Sequence, residues 1–221
     1  MSFSASLRDR AAPIWEREFA HPFVRGLGDG SLDPERFKVW LRQDWLFLVE
    51  YARVLALAAA RAGDLGTMTR FAALLQSTLA VEMDLHRRYA RRFGITAEDL
   101  ERARPSAACG AYTGFLLRVA WEGPLAAIVA ALLPCAWGYG EVARRLAAGG
   151  GDRPENPYGE WIRTYTSEEF TAYAEWMRDM LDRLAEPLGP AERDRLAAIF
   201  EESSEHEYRF WEMAWRRDEP A

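Results

Sequence analysis

The sequence is poor in lysine, cysteine and histidine, and these scarcities narrow the chemistry that it can support. Lys38 is the one lysine among 28 basic residues, which excludes a lysine-centred mechanism elsewhere in the chain. Two cysteines, Cys109 and Cys135, are too few for the disulfide framework of a secreted protein, and a reducing cytoplasm fits them better. Only three histidines occur in the whole sequence.

Several sequence signatures are also missing. The chain has no GxxxxGK[ST] or GxSxG motif, and its GLGDG segment follows no strand pattern, so phosphate-loop, dinucleotide and hydrolase-elbow sites are not predicted. The net charge is −6 and no long Lys/Arg cluster occurs, so we expect no nucleic-acid partner. The first ten residues contain no apolar core, so we expect no signal peptide and a cytoplasmic location.

Over most of its length the sequence shows the apolar periodicity typical of helices. Period-two alternation typical of strands is rare. We predict one all-α domain over residues 1–221, a bundle of about eight helices. Their approximate ranges are 6–19, 34–61, 67–92, 106–121, 124–147, 158–165, 167–185 and 190–216, with a glycine-rich loop over 26–36 and a short turn after Thr96.

The longest uncharged run, residues 123–140, raises the question of a membrane span because it reaches 18 residues. Two prolines and three glycines interrupt it, and Glu122 and Glu141 bracket it. We interpret it as the central helix of the bundle, and we expect no membrane partner.

Two helices carry a carboxylate on an apolar face. Asp44 shares a face with Leu41 and Leu48, and Glu207 lies among the aromatic residues of the last helix, beside Phe210. An unpaired buried charge is costly, so each carboxylate needs a partner. A buried arginine or a helix end would serve as well as a functional site, and both alternatives stay open.

The segment LLPCAWGYGE places Cys135 one turn before Tyr139, between Pro134 and Gly138. A lone cysteine on an apolar helix is usually a small core residue. Pro134 frees a backbone carbonyl one turn earlier, and Gly138 predicts the close approach of another element. A cavity lined by a thiol, two carboxylates and several tyrosines would suit a small, flat, basic nitrogen heterocycle.

The histidines offer a metal alternative. Glu82 and His86 lie one turn apart, and His206 stands between two glutamates, as in a carboxylate-bridged di-iron site. Such a site needs Glu-x-x-His on two helices, and the spacing occurs once, at Glu18 and His21, where a helix is expected to end. We therefore interpret His86 and His206 as making helix contacts, and we predict no metal site.

Five separated blocks of the sequence, in order, are HPFVRGLGDGSL, RQDWLFLVEYARVLA, LLPCAWGYGE, YGEWIRTYTSEEF and EHEYRFWEMAW. They resemble the TenA family (thiaminase II) in its cysteine-containing subgroup, over about residues 3–215. The resemblance implies a haem-oxygenase-like helical fold, a homotetramer and no cofactor. It also implies hydrolysis of 4-amino-5-aminomethyl-2-methylpyrimidine to the hydroxymethylpyrimidine plus ammonia in thiamin salvage; many members also split thiamin itself.

The same resemblance implies roles for individual residues. Cys135 would be the nucleophile that adds to the pyrimidine ring, Asp44 would bind a ring nitrogen and the exocyclic amino group, and Glu207 would manage protons. The residues that would complete the pocket are Phe47, Tyr112, Tyr139 and Tyr165. Phe47 departs from the tyrosine of many members, which leaves open the preference between thiamin and the aminomethylpyrimidine.

Two other classes of function remain. One is an oxygenase on the same fold, with His21 as a haem ligand or with Glu82, His86 and His206 around a di-iron centre. The other is a protein that binds a pyrimidine without turnover.

Overall fold

The computed structural model describes residues 2–220, and within that range every regular element is a helix, which confirms the all-α prediction. The helices are α1 (Phe3–Arg10), α2 (Ala12–Phe19), α3 (Pro22–Asp29), α4 (Pro34–Arg61), α5 (Leu65–Ser77), α6 (Met83–Arg92), α7 (Ala97–Glu101), α8 (Ala107–Glu122), α9 (Leu125–Ala148), α10 (Gly159–Tyr165), α11 (Glu168–Ala185) and α12 (Pro190–Arg216). A π-helical turn, Thr78–Glu82, joins α5 to α6 into one continuous rod.

With that rod taken as one helix, the described chain contains eleven helices, so the expected number of about eight is wrong. The first predicted helix is divided at Ala11, because Pro13 begins a new helix in its first turn. Gly26 and the next three residues, predicted as part of a loop, belong instead to α3. The helix is terminated by Gly30, whose φ of 84° lies in the left-handed region. The turn after Thr96 is the short helix α7.

Side-chain caps fix where the helices near the site begin. The Asp33 carboxylate accepts the Glu35 N–H at 2.9 Å and starts α4, with Pro34 at its first position. The Ser106 hydroxyl accepts the Cys109 N–H at 3.1 Å and starts α8. Ser167 caps α11 in the same way. Because these caps fix the first residue of each helix, they determine which polar residues of α4 and α8 face the interior.

Helix α9 is the centre of the bundle and packs against α8, α10, α11 and α12. It is the one described helix that is long and apolar enough to cross a membrane, and 89% of its most apolar window is buried inside the protein. A core helix has the same composition as a membrane span when other helices cover it on all sides. The burial of α9 therefore agrees with its interpretation as the central helix.

The helix α9 continues unbroken through Pro134. One turn before Cys135, the Ala131 carbonyl accepts the Ser203 hydroxyl of α12 at 2.6 Å, so a side chain satisfies the backbone near the proline. The close approach predicted at Gly138 is wrong: a Cβ added there would meet no atom within 4 Å outside its own helix backbone. The glycine leaves room beside the thiol and is not required by a packed neighbour.

Candidate active site

Cys135 lies on the wall of a cavity between α4, α9, α10, α11 and the π-helical turn. The cavity has about 360 Å³ of empty volume, including the part open to solvent. Its lining side chains are Asp44, Phe47, Leu48, Tyr51, Glu82, Cys135, Ala136, Tyr139, Tyr165, Phe170 and Tyr173. The α4 residues among them recur at i, i+3, i+4 and i+7, which is one face of a helix. A single helix face therefore supplies a carboxylate and two aromatic rings to the cavity.

Asp44 enters this wall from α4 and is 4% exposed. Its partner is not an arginine: Oδ2 lies 2.5 Å from Nε2 of His86 on α6. The Nδ1 atom of His86 lies 2.9 Å from the backbone oxygen of Glu82 in the π-helical turn. The inward carboxylate of α4 is thus held by an imidazole from α6.

Glu207 belongs to α12 and is 3% exposed. The Tyr112 hydroxyl donates to its Oε1 at 2.6 Å. The Tyr112 hydroxyl also lies 3.2 Å from the Ser203 hydroxyl. Glu207 is therefore oriented by a phenol from α8, and it lies close enough to the Cys135 thiol on α9 for each group to affect the pKa of the other.

Burial is the main influence on the pKa values of Glu207 and Cys135. Burial raises the pKa of Glu207 to about 8, against the hydrogen bonds from Tyr112 and Cys135, which lower it. Burial also raises the pKa of the Cys135 thiol well above its usual range, and the charges of Glu207, Asp44 and Glu82 add to that effect. The resting thiol is thus protonated, and it needs a base beside it before it can act as a nucleophile.

Aromatic rings form the remaining walls. The Tyr139 ring lies 5.1 Å from the Tyr165 ring, measured between centroids. The Phe47 ring lies 4.9 Å from the Tyr112 ring. Phe47, Tyr139 and Tyr165 line the cavity itself, whereas Tyr112 reaches it through its contacts with Phe47 and Glu207. Flat apolar walls with a carboxylate between them match a planar heterocycle that carries N–H donors.

The predicted site omitted four further polar or aromatic wall residues: Tyr51, Glu82, Phe170 and Tyr173. Tyr51 could have been found, because it lies seven residues after Asp44 on the same face. Glu82 and His86 belong to the metal alternative, and His86 was expected to make helix contacts. In the structure Glu82 lines the cavity and His86 holds Asp44. Burial raises the pKa of Glu82 to about 7, the charge of His86 lowers it and the charge of Asp44 raises it.

A second, larger cavity adjoins the first and shares Glu82, Phe170 and Tyr173 with it. Its empty volume is about 870 Å³, including space open to solvent. The hydroxyls of Ser77, Thr78, Thr164 and Ser167 and the Arg70 side chain line it together with aliphatic residues. The shared residues form the partition between an inner, carboxylate-rich chamber and an outer, mixed one.

A sequence model of the TENA/THI-4/PQQC family matches residues 8–217. The chain belongs to this family. The match spans nearly the whole chain, so it includes every helix that contributes to the inner cavity. The resemblance drawn from the five sequence blocks is thereby confirmed.

Relatives within the TENA/THI-4/PQQC family carry a named activity. The chain is 48% identical to an aminopyrimidine aminohydrolase of Halalkalibacterium halodurans, with 97% of this chain and 96% of the relative covered. It is 37% identical to the Helicobacter pylori protein of that name (98% and 100% covered) and 40% identical to the Bacillus subtilis one (99% and 92% covered).

Solved structures agree on the fold. A TenA homologue from P. horikoshii OT3 superposes with a TM-score of 0.91 at 33% identity and covers 98% of this chain and 99% of its own. Haem oxygenase-1 from the cyanobacterium Synechocystis superposes at 0.62 with 14% identity and covers 96% of this chain and 91% of its own. The second likeness shows the fold alone, and it confirms the haem-oxygenase-like architecture.

The three histidines considered as haem or iron ligands in the oxygenase alternatives make other contacts in the structure. Both ring nitrogens of His21 are engaged: Nδ1 accepts the Phe23 N–H at 3.2 Å, and Nε2 lies 2.9 Å from Glu212. His206 stacks on the Tyr112 ring at 5.1 Å, while His86 is held by Asp44. Within residues 2–220, no three His, Cys, Asp or Glu side chains are grouped to hold a metal ion.

Proposed function

We propose that this chain is an aminopyrimidine aminohydrolase of thiamin salvage that uses Cys135 as its nucleophile. The observation that carries the proposal is the Cys135 thiol at the wall of a cavity that also contains the Asp44 carboxylate, with buried Glu207 close enough to affect the pKa of the thiol. The identity to enzymes of that name over nearly the full length of both chains supports the reaction class.

Substrate binding follows from the lining of the inner cavity. An aminopyrimidine is flat and carries an exocyclic amino group beside a ring nitrogen. The Asp44 carboxylate accepts a hydrogen bond from the amino group, and one from the ring nitrogen when that nitrogen is protonated, while Phe47, Tyr139 and Tyr165 enclose the ring faces. Tyr112 acts through Glu207, which it orients by its hydroxyl.

The chemistry is a nucleophilic substitution through an addition intermediate. Glu207 takes the thiol proton as the Cys135 sulfur bonds to the ring carbon next to the one that carries the methylene group, and it passes that proton to the ring nitrogen. The displaced electron pair then expels the amine from the methylene, which forms an exocyclic double bond. Water adds to the methylene, the carbon–sulfur bond breaks, and aromaticity returns. The net change is aminomethylpyrimidine plus water to hydroxymethylpyrimidine plus ammonia.

The proposal is tested by ammonia release from 4-amino-5-aminomethyl-2-methylpyrimidine with purified protein. We expect turnover by the parent and none above background by Cys135→Ser. Mass spectrometry of the hydroxymethylpyrimidine product identifies the reaction. Binding of the pyrimidine by the parent without turnover would instead indicate a non-catalytic binding protein.

The outer cavity bears on which of the two substrates, the aminomethylpyrimidine or thiamin, the enzyme accepts. A methylene substituent that leaves the inner chamber passes Glu82, Phe170 and Tyr173, beyond which there is space for a group larger than ammonia. We propose that thiamin is also a substrate, with its thiazole ring in the outer cavity. Release of the free thiazole from thiamin tests this, and failure to cleave thiamin beside rapid ammonia release would restrict the enzyme to the aminomethylpyrimidine.

We further propose a homotetramer that works in the cytoplasm. Apolar side chains stand in solvent on the monomer: Trp121 is 65% exposed, and Leu65, Met68, Leu79 and Val81 are exposed on the rod of α5 and the π-helical turn. Such side chains gain most by being covered in a subunit contact. Light scattering at micromolar concentration tests the assembly, and a monomeric mass would refute it.

A further inference from the structure

His86 joins Asp44 to the backbone of the π-helical turn through both of its ring nitrogens. Nε2 lies 2.5 Å from the Asp44 carboxylate, and Nδ1 lies 2.9 Å from the Glu82 carbonyl oxygen. His86 is 3% exposed and Asp44 is 4% exposed, so water is largely excluded from the bridge. The Trp40 ring, with its centroid 5.8 Å away, covers the imidazole.

The donors and acceptors in this bridge determine which of its atoms carry hydrogens. A carbonyl oxygen accepts hydrogen bonds and never donates, so Nδ1 of His86 must carry a hydrogen. Nε2 then faces the carboxylate, and a contact of 2.5 Å between two bare acceptors would be repulsive. A second proton therefore lies between the two groups, and it belongs either to the imidazole or to the Asp44 carboxyl.

Intrinsic acidity places that proton on the imidazole. An ordinary aspartic acid has a pKa of about 3.9 and an ordinary histidine about 6.5, so the ring holds the proton unless its surroundings reverse the order. Burial lowers the pKa of His86, but the hydrogen bond and charge of Asp44, the Glu82 carbonyl and the Glu82 charge outweigh burial and leave the pKa raised. The order is kept.

We propose that His86 is a positioning residue: as an imidazolium it holds the Asp44 carboxylate by a charge-assisted hydrogen bond and keeps it directed into the inner cavity. The kinetic part of this inference rests on the proposed role of Asp44 in binding the pyrimidine, whereas the protonation of His86 does not.

No described arginine or lysine pairs with Asp44, so His86 is the cationic donor that holds its carboxylate. The other ionisable groups whose pKa values respond to Asp44 are Glu82 on the π-helical turn, Cys109 on α8, Cys135 and Tyr139 on α9, Tyr165 on α10 and Glu207 on α12. None of these groups supplies a positive charge. Without His86, the carboxylate therefore loses the charged hydrogen-bond donor that holds it toward the amino group of the ring.

The first test observes the proton directly. The chain has three histidines, so ¹⁵N-histidine labelling gives three imidazole spectra. Burial and the charges of Arg209 and Arg118 lower the pKa of His206 to about 4, and burial lowers that of His21 despite its hydrogen bond to Glu212. At pH 7.5 we expect one doubly protonated imidazole, His86, beside two neutral rings. Assignment uses His21→Asn and His206→Gln, so no variant at position 86 is needed; an unprotonated Nε2 on His86 overturns the proposal.

The second test measures catalysis by His86→Gln, which keeps an N–H donor for Asp44 but removes the charge. We expect KM for the aminomethylpyrimidine to rise by about 10- to 100-fold at pH 7, the range of a lost charge-assisted hydrogen bond, with kcat within about 5-fold. His21→Asn is the matched control: it removes a buried histidine outside the cavity, keeps a capping side chain on α3, and should leave KM unchanged.

The outcomes separate the two proposals. A parent protein that releases no ammonia defeats the proposed function, while the imidazole spectrum still decides the charge of His86. An unchanged KM in folded His86→Gln, checked by circular dichroism, refutes the positioning role even if the parent is active.

Discussion

The two cysteines of this chain lie on neighbouring helices near Asp44, yet their surroundings differ. Cys109 is 0% exposed, and its thiol donates to the backbone oxygen of Gln43 at 3.5 Å. Cys135 is half-buried on the cavity wall, with the Glu207 carboxylate close enough to raise the pKa of its thiol. One thiol faces a group that cannot take its proton, and the other lies near a group that can.

Neither thiol is activated by a low pKa. Burial raises the pKa of Cys109 to about 12, although it sits in the first turn of α8, where the exposed amides favour a thiolate. Burial also raises the pKa of Cys135. The comparison teaches that a helix N-terminus does not make a buried thiol reactive, and that an adjacent base together with an open cavity is the distinguishing feature.

Replacement of Cys135 gives the largest expected effect. Cys135→Ser should reduce kcat for ammonia release by roughly 10³-fold or more, because the reaction loses its nucleophile. The pyrimidine should still bind with a Kd within about 5-fold of the parent, since Asp44 and the aromatic walls are untouched. Steady-state kinetics and calorimetry check the two quantities. Retained turnover would show that the cavity wall does not supply the nucleophile.

Removal of the base gives the next effect. Glu207→Gln keeps the shape and the contact with Tyr112 but cannot accept the thiol proton, so kcat/KM should fall by about 10²- to 10⁴-fold. Glu212→Gln, a carboxylate on the same helix that faces His21, is the control and should retain activity.

The pH dependence sharpens the assignment of Glu207. Because burial raises its pKa to about 8 and the ionised form is the base, kcat/KM of the parent should rise with pH through about 8. Glu207→Gln should lack that limb. A parent profile that falls with rising pH over this range would mean that the protonated form of Glu207 is the one required.

The helical pattern and cap residues predicted most of the fold. Asp33 with Pro34, Ser106 and Ser167 all mark helix starts that the structure contains. The number of helices was wrong where local signals conflicted: Pro13 divided a periodic segment, and the glycines of α3 concealed a helix that begins at Pro22. Glycine and proline predict turns in isolation, but at helix ends they are ordinary residues.

The candidate site was accessible to sequence reasoning only in part. Asp44, Glu207 and Cys135 stood out because polar groups on apolar faces are costly. The link between Asp44 and His86 could not be inferred, because it joins two residues 42 positions apart and depends on how α6 leaves the π-helical turn. Periodicity shows which face of a helix is buried but not which side chain lies opposite.

A stability effect is expected on the Cys109 side. The Gln43 side chain donates to the Arg104 carbonyl at 3.0 Å and accepts the Ser106 N–H at 2.8 Å. Gln43→Ala should lower the free energy of unfolding by about 2 kcal/mol or more, since each orphaned buried backbone group costs about 1–3 kcal/mol. Urea denaturation measures this. Activity per folded molecule should stay within a few-fold; a loss matching that of Cys135→Ser would merge the two regions into one site.

The smallest effect is expected from Cys109→Ala. The substitution removes one sulfur from a packed position whose thiol makes a weak hydrogen bond, so unfolding should cost about 1 kcal/mol less and turnover should stay within about 3-fold. Thiol labelling gives a second readout: in folded Cys135→Ser, the remaining thiol of Cys109 should react with a maleimide at least about 100-fold more slowly than after denaturation, because it is buried and protonated. Rapid labelling, or loss of activity in Cys109→Ala while Cys135→Ser stays active, would indicate that Cys109 on α8 is the nucleophile.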